Sequence, residues 1–343
     1  MLAIVADDLT GALDAAAPFA ARGMHVEVAL VAEAIEDALR QKPDVLSINL
    51  GSRELSGEVA RQRAAAVLAT LPSETLLFKK VDSRLKGNIA AELDSMPFRS
   101  ALVAPAIPAF GRYVTGGYVR GFGVDAPISV HERLGRHADR STIPDVASAA
   151  EMRASLEDAE RNGVDLLIGA RGLAEALAER MTNEAAAQAA EISAGPALFV
   201  IGSRDPITLA QIDVLRRAIA ARYLAAPNGR LIDAADDGSA ITLVQAVPGE
   251  GELSSEEVSE ALADSVCPNL ARSAGTMLLS GGATAEAVLK RMDIQRFRLL
   301  GECLPGLGLA EVEGRCIIAK SGGFGSPDTL KQIADATLHK MGT

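Results

Sequence analysis

Met1-Leu2-Ala3-Ile4-Val5-Ala6-Asp7-Asp8-Leu9-Thr10-Gly11-Ala12-Leu13-Asp14 opens the chain. Leu2 to Ala6 is apolar and too short for a helix, which predicts a buried strand. Asp7 and Asp8 follow it, Thr10-Gly11 reads as a turn, and the Ala-rich segment from Ala12 to Arg22 is helix-prone. Strand, acidic loop and helix begin an α/β unit, whose ligands bind at the carboxyl ends of parallel strands. Asp7 and Asp8 belong at that edge, and one of them is also a natural cap for the helix.

The same alternation continues outward. Strands are expected at His25–Val31, Asp44–Asn49, Thr75–Val81, Ala101–Ala104 and Val164–Ile168. Helices are expected at Ala32–Arg40, Ser56–Thr70, Pro144–Asn162 and Arg171–Ala190. The Gly- and Pro-rich stretch Pro105–Val130 interrupts the rhythm as a long loop or small hairpin excursion. Gly195-Pro196 marks a seam, after which the pattern restarts. Strands follow at Ala197–Ile201, Ala240–Val244 and Thr276–Leu279, with helices at Pro206–Ala221, Ser254–Leu270 and Ala283–Met292. Asp233–Gly251 is polar and loop-like in parts. The fold class is therefore α/β: two domains, 1–195 and 196–343, each a largely parallel sheet flanked by helices.

Composition narrows the function. A net charge of −11 and 3% aromatic residues disfavour nucleic acid and anionic membrane as partners. No apolar run approaches about 18 residues, and no basic leader precedes the first strand. Three cysteines without a C-x-x-C pair fit a reducing compartment, so a cytoplasmic location is expected. Four scattered histidines give no metal site. The sequence leaves monomer and homo-oligomer both open.

Against that acidic background, Lys79-Lys80-Val81-Asp82-Ser83-Arg84-Leu85-Lys86-Gly87 places four cations after a strand. Such a cluster suits an anionic ligand, with Arg forking onto a carboxylate or phosphate and Lys supplying a compact charge. Arg53, after the third strand, opens toward the same edge as Asp8. Cations for an acid and carboxylates for hydroxyls suit a small hydroxy acid. Gly111-Arg112 could add a cation or a lid, or be a turn only. The second domain has three glycine-bearing loops after strands: Gly202-Ser203, Gly281-Gly282-Ala283-Thr284 and Ser321-Gly322-Gly323. Glycines there let backbone amides approach a phosphate. None matches the Walker or dinucleotide fingerprints.

Ala6-Asp7-Asp8-Leu9-Thr10-Gly11-Ala12, Lys79-Lys80-Val81-Asp82-Ser83, Pro105-Ala106-Ile107-Pro108 with Gly111-Arg112, Gly281-Gly282-Ala283-Thr284-Ala285 and Lys320-Ser321-Gly322-Gly323-Phe324-Gly325 occur in that order. In this the chain resembles the four-carbon acid sugar kinase family. The resemblance implies an N-terminal domain for an acid sugar such as a threonate, erythronate or 3-oxo-tetronate. It also implies a C-terminal domain for ATP, with Mg²⁺ and phosphoryl transfer across the cleft between them. Carried over by motif, Asp8, Arg53, Lys80, Asp82, Ser83 and Arg84 hold the substrate. Ser203, Gly281, Gly282, Ala283, Thr284, Gly322 and Gly323 hold the nucleotide. Asp8 or Asp82 receives the hydroxyl proton. The chain departs from the family's D-S-T-L-R-G at Asp82-Ser83-Arg84-Leu85-Lys86-Gly87 and lacks the usual acid where Ala283 stands. These departures keep a second reading open, a kinase-like sugar-acid sensor without turnover.

Overall fold

A computed structural model describes residues 1–184, 186–232 and 235–341. The chain divides into two compact units, Met1–Gln188 and Ala189–Thr343, so the division falls ahead of Gly195-Pro196.

The first unit runs β1 (Leu2–Ala6), α1 (Leu9–Ala20), β2 (Val26–Ala29), α2 (Ile35–Arg40), β3 (Val45–Asn49), α3 (Gly57–Thr70), β4 (Leu76–Lys80), α4 (Ile89–Leu93) and β5 (Ala101–Ala104). It continues through β6 (Arg112–Thr115), β7 (Tyr118–Gly121), β8 (Ile128–Ser129), α5 (Val130–Leu134), β9 (Ser141–Thr142), α6 (Ala149–Arg161), β10 (Leu166–Gly169) and α7 (Arg171–Thr182). Its main sheet is parallel, in the order β2-β3-β1-β4-β10-β5-β9. Every residue of β1 is buried, as a central strand covered on both faces requires. The chain leaves β1 toward one side and later returns to its other side at β4, so β1 is the topological switch point. Ala6 is level with both Asn49 and Lys80. The segments after β1, β3 and β4 therefore leave the sheet together.

Helix α1 begins at Leu9, earlier than the sequence suggests. Thr10-Gly11 lies in its first turn because the Asp8 side chain caps the Gly11 amide. The Pro105–Val130 excursion is a three-stranded antiparallel sheet, β6-β7-β8, rather than an open loop. Helix α6 waits for Ser148, whose capping box with Glu151 starts it well after Pro144. Helix α7 stops at Thr182, with Asn183 in the left-handed region, and does not reach Ala190. Ala185 lies outside the described residues.

The second unit runs β11 (Ala197–Ile201), α8 (Pro206–Ala218), β12 (Arg222–Pro227), β13 (Ile241–Val247), α9 (Ser255–Val266), α10 (Asn269–Ser273), β14 (Thr276–Ser280), α11 (Gly282–Arg291), β15 (Arg296–Leu304), β16 (Leu307–Val312), β17 (Arg315–Lys320) and α12 (Thr329–Met341). Asp233 and Ala234 lie outside the described residues. The sheet order is β12-β13-β11-β14-β17-β16-β15, parallel from β12 to β17 and antiparallel beyond. Phe199, Leu243, Leu278, Leu309 and Ile318 join Ile212 and Leu330 in its core. Ile201 is level with Ser280, and Ser280 with Lys320, so the three glycine-bearing loops emerge side by side.

Candidate active site

In the first unit the polar residues gather at the carboxyl ends of β1, β3 and β4. Arg53 forks onto the buried Asp7, Nε to Oδ2 at 2.8 Å and Nη2 to Oδ1 at 2.9 Å. Its Nη1 donates to Asp8 Oδ2 at 2.5 Å. The same Asp8 oxygen accepts from the Thr10 hydroxyl at 2.7 Å, and Oδ1 accepts from the Gly11 amide at 2.8 Å. Burial pushes the Asp7 carboxyl up, but the Arg53 hydrogen bonds and the charges of Lys79, Arg53 and Lys80 outweigh it and hold it below its ordinary value. Burial alone would lower Arg53; the two carboxylates raise it instead. Arg53 is thus chiefly the brace of Asp7 and Asp8, with three N–H donors already engaged, rather than a free anion receptor.

The four cations at the end of β4 and in the loop after it do not act as one cluster. Adjacent strand residues face opposite sides of a sheet. Lys79 points to a buried pair with Glu92, 2.5 Å away, and donates to the Val5 carbonyl at 3.3 Å. Lys80 points the other way and is only 4% exposed. Its ammonium has no hydrogen-bond acceptor or ion-pair partner among the described residues. It lies where a Cβ on Gly11 would come within 3.1 Å of Nζ and 2.5 Å of Asp8 Oδ1. Glycine at that position leaves room between the carboxylate and the ammonium.

Asp82 folds the following loop on itself. Its Oδ1 accepts the Arg84 amide at 2.8 Å and the Lys86 amide at 3.5 Å, and Leu85 takes φ 55°. Ser83 is buried and its hydroxyl accepts from Arg112 Nη1. Arg112 also donates to the Phe122 carbonyl at 3.1 Å from Nε and 2.8 Å from Nη2. Gly111-Arg112 is therefore more than a turn: it carries a guanidinium to the Lys80–Arg84 loop. Burial lowers Arg112, and the neighbouring Arg84 charge lowers it further, with Asp82 opposing. Arg84 itself is exposed. Asp8, Arg53, Lys80, Asp82, Ser83 and Arg84 are all at this edge, joined by Asp7 and Arg112.

In the second unit the three loops converge. The Ser203 hydroxyl accepts from the Asp205 amide at 3.2 Å. Asp205 caps α8 through the Ile207 amide at 2.9 Å, with Pro206 in the first helical position. Gly281 has φ 108°, and its amide donates to the Lys320 carbonyl at 3.0 Å. That amide is consumed by the sheet edge and does not face a ligand. The open amides of α11 begin at Gly282, since no side chain caps the helix. Ala283 is exposed there. Thr284 is buried, its hydroxyl 3.3 Å from that of Ser259, so its side chain supports the loop from beneath. A Cβ on Gly322 would fall 2.2 Å from Ser203 Oγ, and one on Gly323 3.4 Å from Asp205 Oδ2. These loops form a cradle of backbone suited to phosphate.

Sequence gives Thr208 no signal and places Lys320 only at the head of a glycine motif, with no role of its own. Lys320 is fully buried, with Nζ 2.9 Å from Thr208 Oγ1, 3.1 Å from the Ser321 carbonyl and 3.3 Å from that of Gly322. Its place at the head of Ser321-Gly322-Gly323 was the one available signal.

Among the described residues no helix is long and apolar enough to cross a membrane, and no cluster of three or more His, Cys, Asp or Glu could hold a metal. A family model described as a sugar-binding N-terminal domain matches residues 2–133, and one described as a nucleotide-binding C-terminal domain matches residues 198–330. A D-threonate kinase of Cupriavidus necator is 29% identical, covering 95% of this chain and 95% of that protein. A 3-oxo-tetronate kinase of Methylobacterium radiotolerans is 27% identical, covering 97% and 98%. A D-erythronate kinase of Heliobacterium modesticaldum is 38% identical over 34% of this chain and 28% of that protein. A solved Salmonella typhimurium structure shares the fold, with TM-score 0.74 and 18% identity over 97% of this chain and 98% of that one. With one family model on each unit and kinase relatives along its whole length, the chain belongs to the four-carbon acid sugar kinase family.

Proposed function

We propose that this protein transfers the terminal phosphoryl group of ATP to a hydroxyl of a four-carbon sugar acid. The observation that carries the substrate class is Lys80, a residue only 4% exposed whose ammonium has no acceptor among the described residues, beside a braced pair of carboxylates. A carboxylate ligand supplies the hydrogen-bond acceptor that this ammonium lacks. Lys80, Arg84 and Arg112 take the acid group, while Asp8 orients a hydroxyl. Asp82 receives the hydroxyl proton: the Arg84 and Lys86 amides both fall on its Oδ1, leaving Oδ2 for the substrate.

ATP fits the second unit because Gly322 lets its loop backbone close against Ser203 with no room for a Cβ and because α11 opens with uncapped amides. Mg²⁺ fits as an ion held largely by the phosphates, with Asp205 as the carboxylate at the cradle; such sites need only one or two protein carboxylates. When bound, Mg²⁺ neutralises charge on the phosphates. The chain's own residues hold the acid, orient the hydroxyl and take its proton.

The test is ADP release with Mg-ATP over D-threonate, D-erythronate and 3-oxo-tetronate, with the neutral amide of the best substrate as control. Turnover of at least one acid is expected. Lys80→Met should weaken binding of that acid by about 10- to 100-fold and affect the amide much less. Absence of turnover with every acid overturns the kinase reading, and equal losses for acid and amide overturn the role of Lys80.

A further inference from the structure

We propose that Lys320 and Thr208 are positioning residues that shape the Ser321-Gly322-Gly323 turn so that two of its backbone amides present themselves to the nucleotide phosphates. The inference rests on the nucleotide reading of the second unit.

Lys320 ends β17 and is 0% exposed; Thr208 stands in the first turn of α8 and is also 0% exposed. Three hydrogens of the ammonium meet three acceptors: Thr208 Oγ1, the Ser321 carbonyl and the Gly322 carbonyl. Thr208 passes its own hydrogen on to the Gly322 carbonyl at 2.7 Å. Lys320 therefore has no donor left for a ligand and acts on the backbone alone.

The consequence follows from peptide geometry. In a trans peptide the carbonyl and the next residue's N–H point to opposite sides. The Ser321 and Gly322 carbonyls are drawn inward onto Lys320 and Thr208. The Gly322 and Gly323 amides are thereby turned outward, and neither has an acceptor among the described residues. Two successive outward amides form an anion-binding concavity. Ser203 and Asp205 border it, at the distances a Cβ on Gly322 or Gly323 would meet them.

Packing alone does not call for a lysine here. Burial pushes Lys320 down to about 8 against the opposing charge of Asp205, so the ammonium is held at a cost that an aliphatic side chain would avoid. What the aliphatic residue could not supply is the grip on two carbonyls.

The experiment compares Thr208→Val, Thr208→Ser and Lys320→Met with wild type by calorimetry, using Mg-ADP and D-threonate as separate probes. Thr208→Val and Lys320→Met should raise the Kd for Mg-ADP by about ten- to hundredfold and leave that for D-threonate unchanged. Thr208→Ser keeps the hydroxyl and should bind Mg-ADP nearly as wild type does. A folded Thr208→Val protein with wild-type Mg-ADP affinity overturns the positioning role while the nucleotide reading stands. Equal loss of both ligands, or a Ser variant as weak as Val, also overturns it by showing a general structural role. Failure of the wild-type protein to bind Mg-ADP overturns the nucleotide reading and this inference together. If Lys320→Met does not fold, the Thr208 pair decides.

Discussion

Removing Arg53 should unfold the first unit's ligand edge before it affects any ligand contact. Arg53→Met deletes a two-point fork onto Asp7 and a 2.5 Å bond to Asp8. The three side chains are well covered, at 21%, 4% and 15% exposure, so solvent screens the pairs little. Breaking a buried pair from one side costs about 3–5 kcal/mol, mostly as an uncompensated charge. Lys79 and Lys80 still act on Asp7, which places the expected loss near the lower end, about 3 kcal/mol. For a unit of this size each kcal/mol moves the melting temperature by about 2–4 °C, giving a fall of about 6–12 °C. Asp7→Asn in the same chain should recover part of that loss, because it removes the stranded charge; the coupling should be about 1–3 kcal/mol. Thermal and urea denaturation of the two single variants and the double variant measure this directly. An Arg53→Met protein that melts with wild type, or strict additivity across the cycle, would refute the assignment of Arg53 as a brace.

Asp82→Asn should leave the fold intact, since its Oδ1 can still accept the Arg84 amide, yet lower turnover by about 10²–10⁴ in the ADP-release assay; unchanged turnover would remove Asp82 from the chemistry. Asp8→Asn should lower both turnover and melting temperature, because either amide orientation sets an NH₂ against an existing donor, Gly11 on one side or Arg53 and Thr10 on the other. Gly322→Ala should weaken Mg-ADP binding at least about tenfold without moving D-threonate affinity, since its Cβ meets Ser203 Oγ at 2.2 Å; wild-type Mg-ADP affinity would show that the cradle is not used. Lys320 titrates at about 8 when folded against an ordinary 10.5. Between those values the unfolded chain holds a proton that the folded chain has released, so stability should rise with pH from about 8 to about 10.5. Lys320→Met should flatten that rise relative to wild type in urea titrations at successive pH values, and an unchanged slope would count against the buried ammonium.

The sequence was most legible where a short apolar run was buried on both faces. Ala101–Ala104 and Ala197–Ile201 are read with their observed bounds for that reason. Strands β12, β15, β16 and β17 were not read. Strands β12, β15 and β17 each open on an arginine, Arg222, Arg296 and Arg315, and the last three strands are paired with distant or reversed neighbours that local pattern does not encode. Helices α4 and α5 are five residues each, too short for a 3.6-residue period to register. The site showed the same division. Asp8 and Lys80 were legible from their place after a strand. Lys79 was not separable from Lys80 because its partner, Glu92, sits on the unread α4. Arg53 looked like a ligand cation because the carboxylates that hold it lie 45 and 46 residues away. Gly281 looked like a phosphate donor until strand register gave its amide to Lys320.

Once the satisfied charges of the first unit are set aside, the remainder has a definite sign. Lys79 is closed by Glu92, and Arg53 by Asp7 and Asp8. At the same edge Lys80, Arg84, Lys86 and Arg112 stand against Asp82, a local positive excess in a chain of net charge −11. Arg84 and Arg112 lie close enough for one to depress the other. Like charges held together are unfavourable until an anion enters between them. A neutral sugar would leave that repulsion and the lone Lys80 ammonium in place, whereas a carboxylate relieves both. On the proposed reading the braced Asp8 and the half-free Asp82 are then left for hydroxyls, which suits an acid that also carries alcohol groups. The departure from the family pattern at Arg84 adds to this excess rather than removing it, which on the proposed reading favours an acid as the ligand.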